Sequence, residues 1–252
     1  MHCHPHPPLR RSVLLGIIAS ATLISGCASV ADQYQDPRDP WQGYNRAMFR
    51  FNHQFDRWLL KPLAKGYQAV SPAVVDRSIS NVFANLADVP SAINNLLQFK
   101  LARASTDLGR VAVNSTVGVA GIFDVATNLG VPSYKEDLGQ TFGYWGMGTG
   151  PYLVLPVLGP SNVRDSIGFA IGTQLHPLTY LDSNWHWGGV ALHTVDRRAD
   201  LLSADAVFDS AALDRYSFLR DAYLQRRKTL VYDGNPPESS DEAMDDAADD
   251  HD

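Results

Sequence analysis

The sequence predicts a mainly α-helical chain, and three observations carry that expectation. Apolar residues recur at spacings of three and four along most of it, no alternating run is long enough for a substantial sheet, and the stretch rich in both glycine and proline is confined to 139–160. With 252 residues, 45% of them apolar and 19% charged, the chain can bury a sizeable core. Those proportions exclude wholesale disorder, a fibrous repeat and a polytopic membrane protein.

The first apolar run, Val13 to Ile24, follows Arg10 and Arg11 and is too short to span a bilayer, which needs about 20 residues. It reads as the core of a secretory signal covering residues 1–26. The run ends in Leu23-Ile24-Ser25-Gly26-Cys27, a bacterial lipobox pattern. Small residues before the cysteine let the scissile bond enter a peptidase, and the Cys27 thiol takes the diacylglyceryl group. Ala28, where an aspartate would favour inner-membrane retention, favours the outer membrane. Cys3 and the His2, His4, His6 cluster leave with the signal, so neither a disulfide framework nor that metal motif is expected in the mature chain.

Residues 27–40 read as a lipidated tether, rich in turn formers at Asp36-Pro37-Arg38-Asp39-Pro40. A long amphipathic helix follows, with Tyr44, Ala47, Met48, Phe51, Phe55, Trp58 and Leu59 on one face and Pro62 as its expected end. Arg46, Arg50, His53 and Arg57 form a basic stripe opposite. Beside a lipid anchor, this pattern suits a helix lying at a membrane interface as well as one packed on a core, with Arg46, Phe51, Phe55 and Trp58 as its characteristic residues. Val75, Ile79, Val82, Phe83 and Leu86 predict a second helix broken at Pro90. Ile93, Leu96 and Leu97 then begin a short helix, and Leu101, Ala104, Leu108 and Val111 share a face further on. Ala199, Leu202 and Ala206, then Leu213, Tyr216, Leu219 and Tyr223, predict two last helices.

The segment 139–160 behaves differently. Tyr152-Leu153-Val154-Leu155-Pro156-Val157-Leu158 is apolar but broken by proline and flanked by Gly146, Gly148, Gly150, Pro151 and Gly159. It is expected to form an irregular hairpin or bent loop. Arg164 and Asp165, just beyond, are either an ion pair at a helix start or part of a polar path. The final segment, 235–252, reads as an acidic disordered tail. It carries eight acids and no lysine or arginine from 238 onward, whereas 27–237 carries nineteen acidic and nineteen basic residues. The body is formally neutral, which argues against a nucleic-acid partner.

Several separate motifs in order resemble the VacJ/MlaA family of outer-membrane lipoproteins. The carriers are Asp39-Pro40-Trp41-Gln42-Gly43-Tyr44-Asn45-Arg46, Asn114-Ser115-Thr116-Val117-Gly118 with Gly121-Ile122-Phe123-Asp124-Val125-Ala126, Gly139-Gln140-Thr141-Phe142-Gly143-Tyr144-Trp145-Gly146, and Gly150-Pro151-Tyr152-Leu153-Val154-Leu155-Pro156. Gly159-Pro160-Ser161, Arg164-Asp165, Asp214-Arg215-Tyr216 and Arg220 to Arg227 complete them. Leu138 and Phe142 are apolar departures from the more usual Phe and Leu. The resemblance spans about 39–234 and implies that 41–234 forms a ring of amphipathic helices in the inner leaflet of the outer membrane, around a polar channel. It further implies association with a trimeric porin and transfer of misplaced phospholipid from the outer leaflet to a periplasmic carrier, without cofactor or metal.

On that basis the 146–159 loop, including Tyr152 and Leu153, is expected to gate the path, with Arg164 and Asp165 beside it. An enzyme is the first rival, because Ser115, Ser161, Asp124, Asp165, His176, His186 and His193 could furnish a hydrolase triad. There is no Gly-x-Ser-x-Gly elbow, however, and no strand–helix framework to present one. Gly146-Met147-Gly148-Thr149-Gly150 lacks the lysine of a nucleotide loop. His186 and His193 lie near Trp185 and Trp187, where interfacial packing competes with metal ligation. A porin-associated adaptor that moves no lipid is the other rival.

Overall fold

The structure is a computed structural model that describes residues 36–205 and 214–237. The signal segment, Cys27, most of the tether, Ala206, Leu213 and the acidic tail from 238 onward lie outside the described residues. Nine helices and one hairpin make up the described chain: α1 (Gln42–Phe55), α2 (Lys61–Val70), α3 (Ala73–Leu97), α4 (Leu101–Thr116), α5 (Val125–Asn128), α6 (Leu138–Tyr144), β1 (Tyr152–Leu155), β2 (Gly159–Asn162), α7 (Val163–Gly172), α8 (Ser183–Asp200) and α9 (Arg215–Val231). Short 3-10 turns at Thr173–Leu175, Pro177–Tyr180 and Leu201–Ala204 link the later helices. Among the described residues the only sheet is the antiparallel pair β1–β2, with Tyr152 opposite Asn162 and Leu155 opposite Gly159. The mainly helical class and the hairpin are as the sequence predicts.

Both prolines expected to end helices do not. Between α1 and α2 the chain makes a π turn over Asp56–Leu60, and Pro62 falls in the first turn of α2. The π turn shifts the hydrogen-bond register, and an early helical position tolerates a residue without an N–H. Pro90 sits inside α3, which continues to Leu97. Proline in a helix interior costs about 3 kcal/mol, but the turns beyond it are held from outside. Ser91 and Asn95 both donate to Asp107 on α4 at 2.9 Å, and Asn94 Oδ1 accepts from Thr141 on α6 at 2.8 Å.

Side-chain bonds close these elements into a circuit. Asn45 on α1 binds β1, Tyr223 on α9 reaches Asp165 on α7, and Arg227 on α9 pairs Asp137 before α6. Gln98, which follows α3, meets Thr141 on α6, Ser80 on α3 meets Asp196 on α8, and Tyr67 on α2 donates to the same aspartate. The π turn returns the path to α1.

Burial runs against the usual pattern. Among the described residues, nineteen polar or charged residues are buried against twelve apolar ones, and five of those twelve are alanines. The faces of α3 and α4 that meet carry Asn85, Asp88, Ser91, Asn94, Asn95, Asp107, Arg110 and Asn114. Leu101 and Leu108, placed by periodicity on a core face with Ala104, are 65% and 51% exposed, while Ala104 is buried. Val75, expected on the inner face of α3, is exposed too. On α1 and the π turn that follows it, the same inversion puts Tyr44, Phe51, Trp58 and Leu59 outside and Asn45 inside. Exposed apolar surface on this scale marks a face meant for a partner or for lipid, and no described helix is long and apolar enough to cross a membrane.

Candidate functional site

The polar interior has a physical cause. Residues 131–137 cross the α3–α4 pair as a strap without regular structure, so the backbone groups it turns toward the pair need partners from side chains. Asp107 accepts from the Tyr134 N–H at 3.1 Å, the Ser91 hydroxyl, whose one proton is shared between Asp107 and the Tyr134 carbonyl, accepts from the Glu136 N–H at 3.1 Å, and Arg110 Nη1 donates to the Val131 carbonyl at 2.7 Å. Arg110 also binds Asp88 at 3.1 Å and Asp124 at 3.3 Å, and Lys135 reaches Asp88 at 2.5 Å. Burial pushes the Asp107 and Glu136 carboxyls up, because it disfavours their charged form. Asp124 is held below the ordinary range despite its burial, by hydrogen bonds from Thr127 and Asn114 and by the Arg110 charge.

The hairpin rests on a second, aromatic core. Tyr152, Val154 and Tyr216 are buried together, with Met48, Phe49, Tyr223 and Leu224 against them. Tyr152 meets the rings of Tyr216 and Tyr223 edge-on, each at 6.2 Å between centroids. Two asparagines seven residues apart on α1 act as a surrogate strand along the outer edge of β1. Asn45 donates to the Tyr152 carbonyl at 3.0 Å and accepts from the Val154 N–H at 2.8 Å. Asn52 donates to the Leu155 carbonyl at 2.9 Å and accepts from the Val157 N–H at 2.7 Å. The Arg38 carbonyl accepts from the Tyr152 N–H at 2.8 Å and completes the edge.

The predicted loop residues therefore divide. Tyr152, with the strand residues Leu153 and Val154, belongs to a pinned hairpin. Gly146, Gly148 and Gly150 lie in the exposed connection from α6, and Pro156 lies at the exposed tip. Gly150 and Gly159 have φ of +68° and +87°, a region that penalises a Cβ; Pro151 follows the first and the β-bridge to Leu155 holds the second.

Arg164 and Asp165 are buried at the start of α7 in a saturated ion network. Asp165 lies 2.9 Å from Arg164 Nη2 and accepts from the Tyr223 hydroxyl at 2.9 Å and from Arg227 Nη2 at 3.1 Å, while Asn162 caps the helix by accepting from the Asp165 N–H. Asp39, read from the sequence as tether, is instead buried. It accepts from Asn45 at 2.8 Å and from the Tyr216 hydroxyl, with Arg220 at 3.6 Å. The folded body thus takes in Arg38 to Pro40, because Asp39 is the acceptor these three groups share.

The predicted interfacial residues of α1 and its π turn also divide. Phe51 and Trp58 project outward and Phe55 stacks on Phe51 at 6.3 Å. Arg46 leaves the basic stripe: it pairs with Asp214 at 2.8 Å and lies 4.4 Å above the Tyr216 ring. That pairing holds the Asp214 carboxyl down at about 2. As for the triad candidates, Ser115 accepts from Asn85 and Ser161 bonds Ser166, so neither serine hydrogen-bonds a histidine among the described residues. His186 Nδ1 lies 2.9 Å from the Leu178 carbonyl, and the His193 ring lies 4.5 Å from that of Phe83. The described residues contain no cluster that could hold a metal ion.

These features define a helical protein with a polar interior, an apolar exterior and a hairpin pinned to its first helix. The family described as MlaA lipoprotein matches residues 37–230, and the chain belongs to that family. The intermembrane phospholipid transport system lipoprotein MlaA of Shigella flexneri is 30% identical over 88% of this chain and 89% of its own. Its counterpart in Escherichia coli is 29% identical over the same shares. A solved structure, from work on the structural basis for maintenance of bacterial outer membrane lipid asymmetry, matches with a TM-score of 0.69 and 31% identity, over 77% of this chain and 98% of its own.

Sequence reasoning missed the strap, Asn45 and Asn52 as edge partners, and Arg110. A signal for the last was present: Asp107, Arg110 and Asn114 recur at spacings of three and four, a polar stripe on the opposite side of α4 from Leu101 and Leu108.

Proposed function

We propose that the protein is an outer-membrane lipoprotein, anchored on the periplasmic side through acylated Cys27, that removes misplaced phospholipid from the outer leaflet and passes it to a periplasmic carrier. The observation that carries this reading is the inverted burial: polar faces meet inside and apolar faces look outward on helices too short or too polar to span. A body of that kind suits one leaflet, with α1 and its π turn at the interface through Phe51, Phe55 and Trp58, and with a trimeric porin as its neighbour there. The names of its relatives, which concern phospholipid transport between membranes, support the same reading.

The physical task is to move a charged headgroup past hydrocarbon, where unpaired charge costs several kcal/mol. A polar path through the body removes that cost for the head while the acyl chains stay in lipid, and no bond is made or broken. The 146–159 segment is the gate in this scheme. Its first strand stays fixed to Asn45 and Asn52, which hold it through Val157, while the glycines at 146, 148 and 150 supply the bend. Arg164 and Asp165 brace the wall of the path through Arg227 and Tyr223.

The test is phospholipid exposed in the outer leaflet of cells lacking the gene, complemented with the wild type or with Cys27→Ala. Exposure should rise without the protein and fall only with the lipidated form. Unchanged exposure in the deletion would sink the transport reading in favour of a porin adaptor. A disulfide across the 146–159 segment should then stop transport while leaving membrane insertion intact.

A further inference from the structure

A surface pocket of about 280 Å³ lies outside the hairpin site, between the first half of α3 and the turn that follows α4. Arg77 and Asn81 line it from α3, and Phe123, Asp124, Thr127 and Asn128 line it from the other side. The two sides are tied by Asn81, which donates to the Ile122 carbonyl at 3.0 Å. Resting on the phospholipid reading above, we propose that this pocket holds the phosphodiester head of a phospholipid, with Arg77 as its anion-binding group.

The charges in the pocket are uneven. Asp124 is fully engaged: it caps α5, accepts from Asn114 and Thr127, and is neutralised by Arg110 at 3.3 Å. Arg77 makes no ion pair or hydrogen bond through its side chain among the described residues, and it is exposed at the pocket. The pocket therefore presents one uncommitted guanidinium, a group suited to forked bonding of a phosphate, with the Asn128 amide as a second donor.

Size and surroundings favour an amphiphile. Ordinary ligand pockets run from roughly 300 to 1,000 Å³, so this one suits a headgroup and leaves acyl chains outside. Apolar side chains surround the place where those chains would lie. Val74, one helical turn before Arg77, is 71% exposed, and Val119 and Phe123 of the turn are also exposed. The turn is built to present them: Val119 and Ala120 take φ of +53° and +57°, a conformation costly for a β-branched residue. It is fixed by bonds from Ala120 N–H to the Ser115 carbonyl at 3.0 Å and from Gly121 N–H to the Asn114 carbonyl at 2.8 Å. At Gly118 a Cβ would collide with the carbonyls of Phe123 and Asn114, which enforces glycine there.

The test uses the full-length lipidated protein in detergent micelles, with p-benzoylphenylalanine at position 123 and radiolabelled phosphatidylglycerol as probe. Light-induced crosslinking should fall roughly tenfold in Arg77→Gln, the loss expected for one charge-assisted contact. It should recover in Arg77→Lys and be unaffected by Arg50→Gln, an exposed cation on α1. Equal crosslinking in Arg77→Gln and the parent would overturn the proposal, as would equal losses from Arg77→Gln and Arg50→Gln. Excess inorganic phosphate that abolishes crosslinking would also overturn it, assigning the site to free phosphate. The readout is lipid contact in vitro, so it fails or succeeds independently of outer-leaflet exposure in cells.

Discussion

The strap core and the hairpin core solve the same problem with opposite chemistry. Around the strap, α3 and α4 turn their amides, acids and Arg110 inward and leave leucines and valines outside. Beneath the hairpin, Tyr152, Val154 and Tyr216 pack with aromatic and aliphatic neighbours as in a water-soluble domain. The difference follows from the backbone each must bury. Among the described residues the strap has no ladder partner, and side chains satisfy it one group at a time. The hairpin satisfies its inner edge with β2 and needs only Asn45, Asn52 and a carbonyl on the other. Polar side chains substitute for missing backbone partners in both, which leaves apolar side chains free to face outward.

The comparison breaks most visibly at Arg110. Arg110→Ala leaves Asp88 and Asp124 without the guanidinium they share, and removing one partner of a buried ion group costs about 3–5 kcal/mol. Denaturant unfolding in detergent should show that loss, whereas Arg50→Ala on the surface of α1 should change little. Asn45→Ala comes next. It leaves the Tyr152 carbonyl and the Val154 N–H unpaired, at roughly 1–3 kcal/mol for each buried group left unsatisfied. Faster hydrogen exchange confined to β1 would report the lost edge; unchanged exchange would mean that Asn45 does not hold the hairpin.

Two hydroxyls sharpen the aromatic side. Tyr216 donates to buried Asp39, and Tyr216→Phe should cost about 1.5–3 kcal/mol, the worth of a hydrogen bond to a charged group. Among the described residues the Tyr152 hydroxyl is buried without a hydrogen-bond partner, so Tyr152→Phe should be neutral or slightly stabilising in the same assay. The smallest effect is in pH. His193 lies against Phe83, with Arg197, Asp196 and His176 as its charged or titratable surroundings. Burial, aided by the Arg197 charge, holds its pKa below the ordinary 6.5. The folded state therefore resists the proton that the unfolded chain accepts. Its contribution to stability is complete above pH 6.5 and declines as pH falls below it, and His193→Phe should flatten that part of the stability profile.

The helices α1, α3, α4 and α9 were legible because each carries an apolar stripe at helical spacing. Which way those stripes face was not, except on α9, where Tyr216 and Tyr223 turn inward. Periodicity reports two unlike faces, and it assigns the apolar one to the interior only if the surroundings are water. All of α8 but its last two residues escaped notice, because Gly188-Gly189 and the Trp-His-Trp run around His186 carry no clean stripe. The prolines misled because helix ends were read locally, while Ser91, Asn94 and Asn95 carry α3 past Pro90 by bonds to residues far along the chain. At the candidate site, the glycines and prolines of 146–159 announced a bend. The partners that fix it, Asn45 and Asn52, lie about a hundred residues earlier and look like ordinary polar positions on α1.

The central claim is that the outward apolar faces lie in lipid. Its most direct measurement places a fluorophore through Leu108→Cys or Trp58→Cys, and for contrast Gln225→Cys on the exposed side of α9, in protein bound to phospholipid vesicles. Quenchers are then attached to the acyl chains or dissolved in the buffer. The account predicts acyl-chain quenching at 108 and 58 and aqueous quenching at 225. Aqueous quenching at all three positions would contradict it.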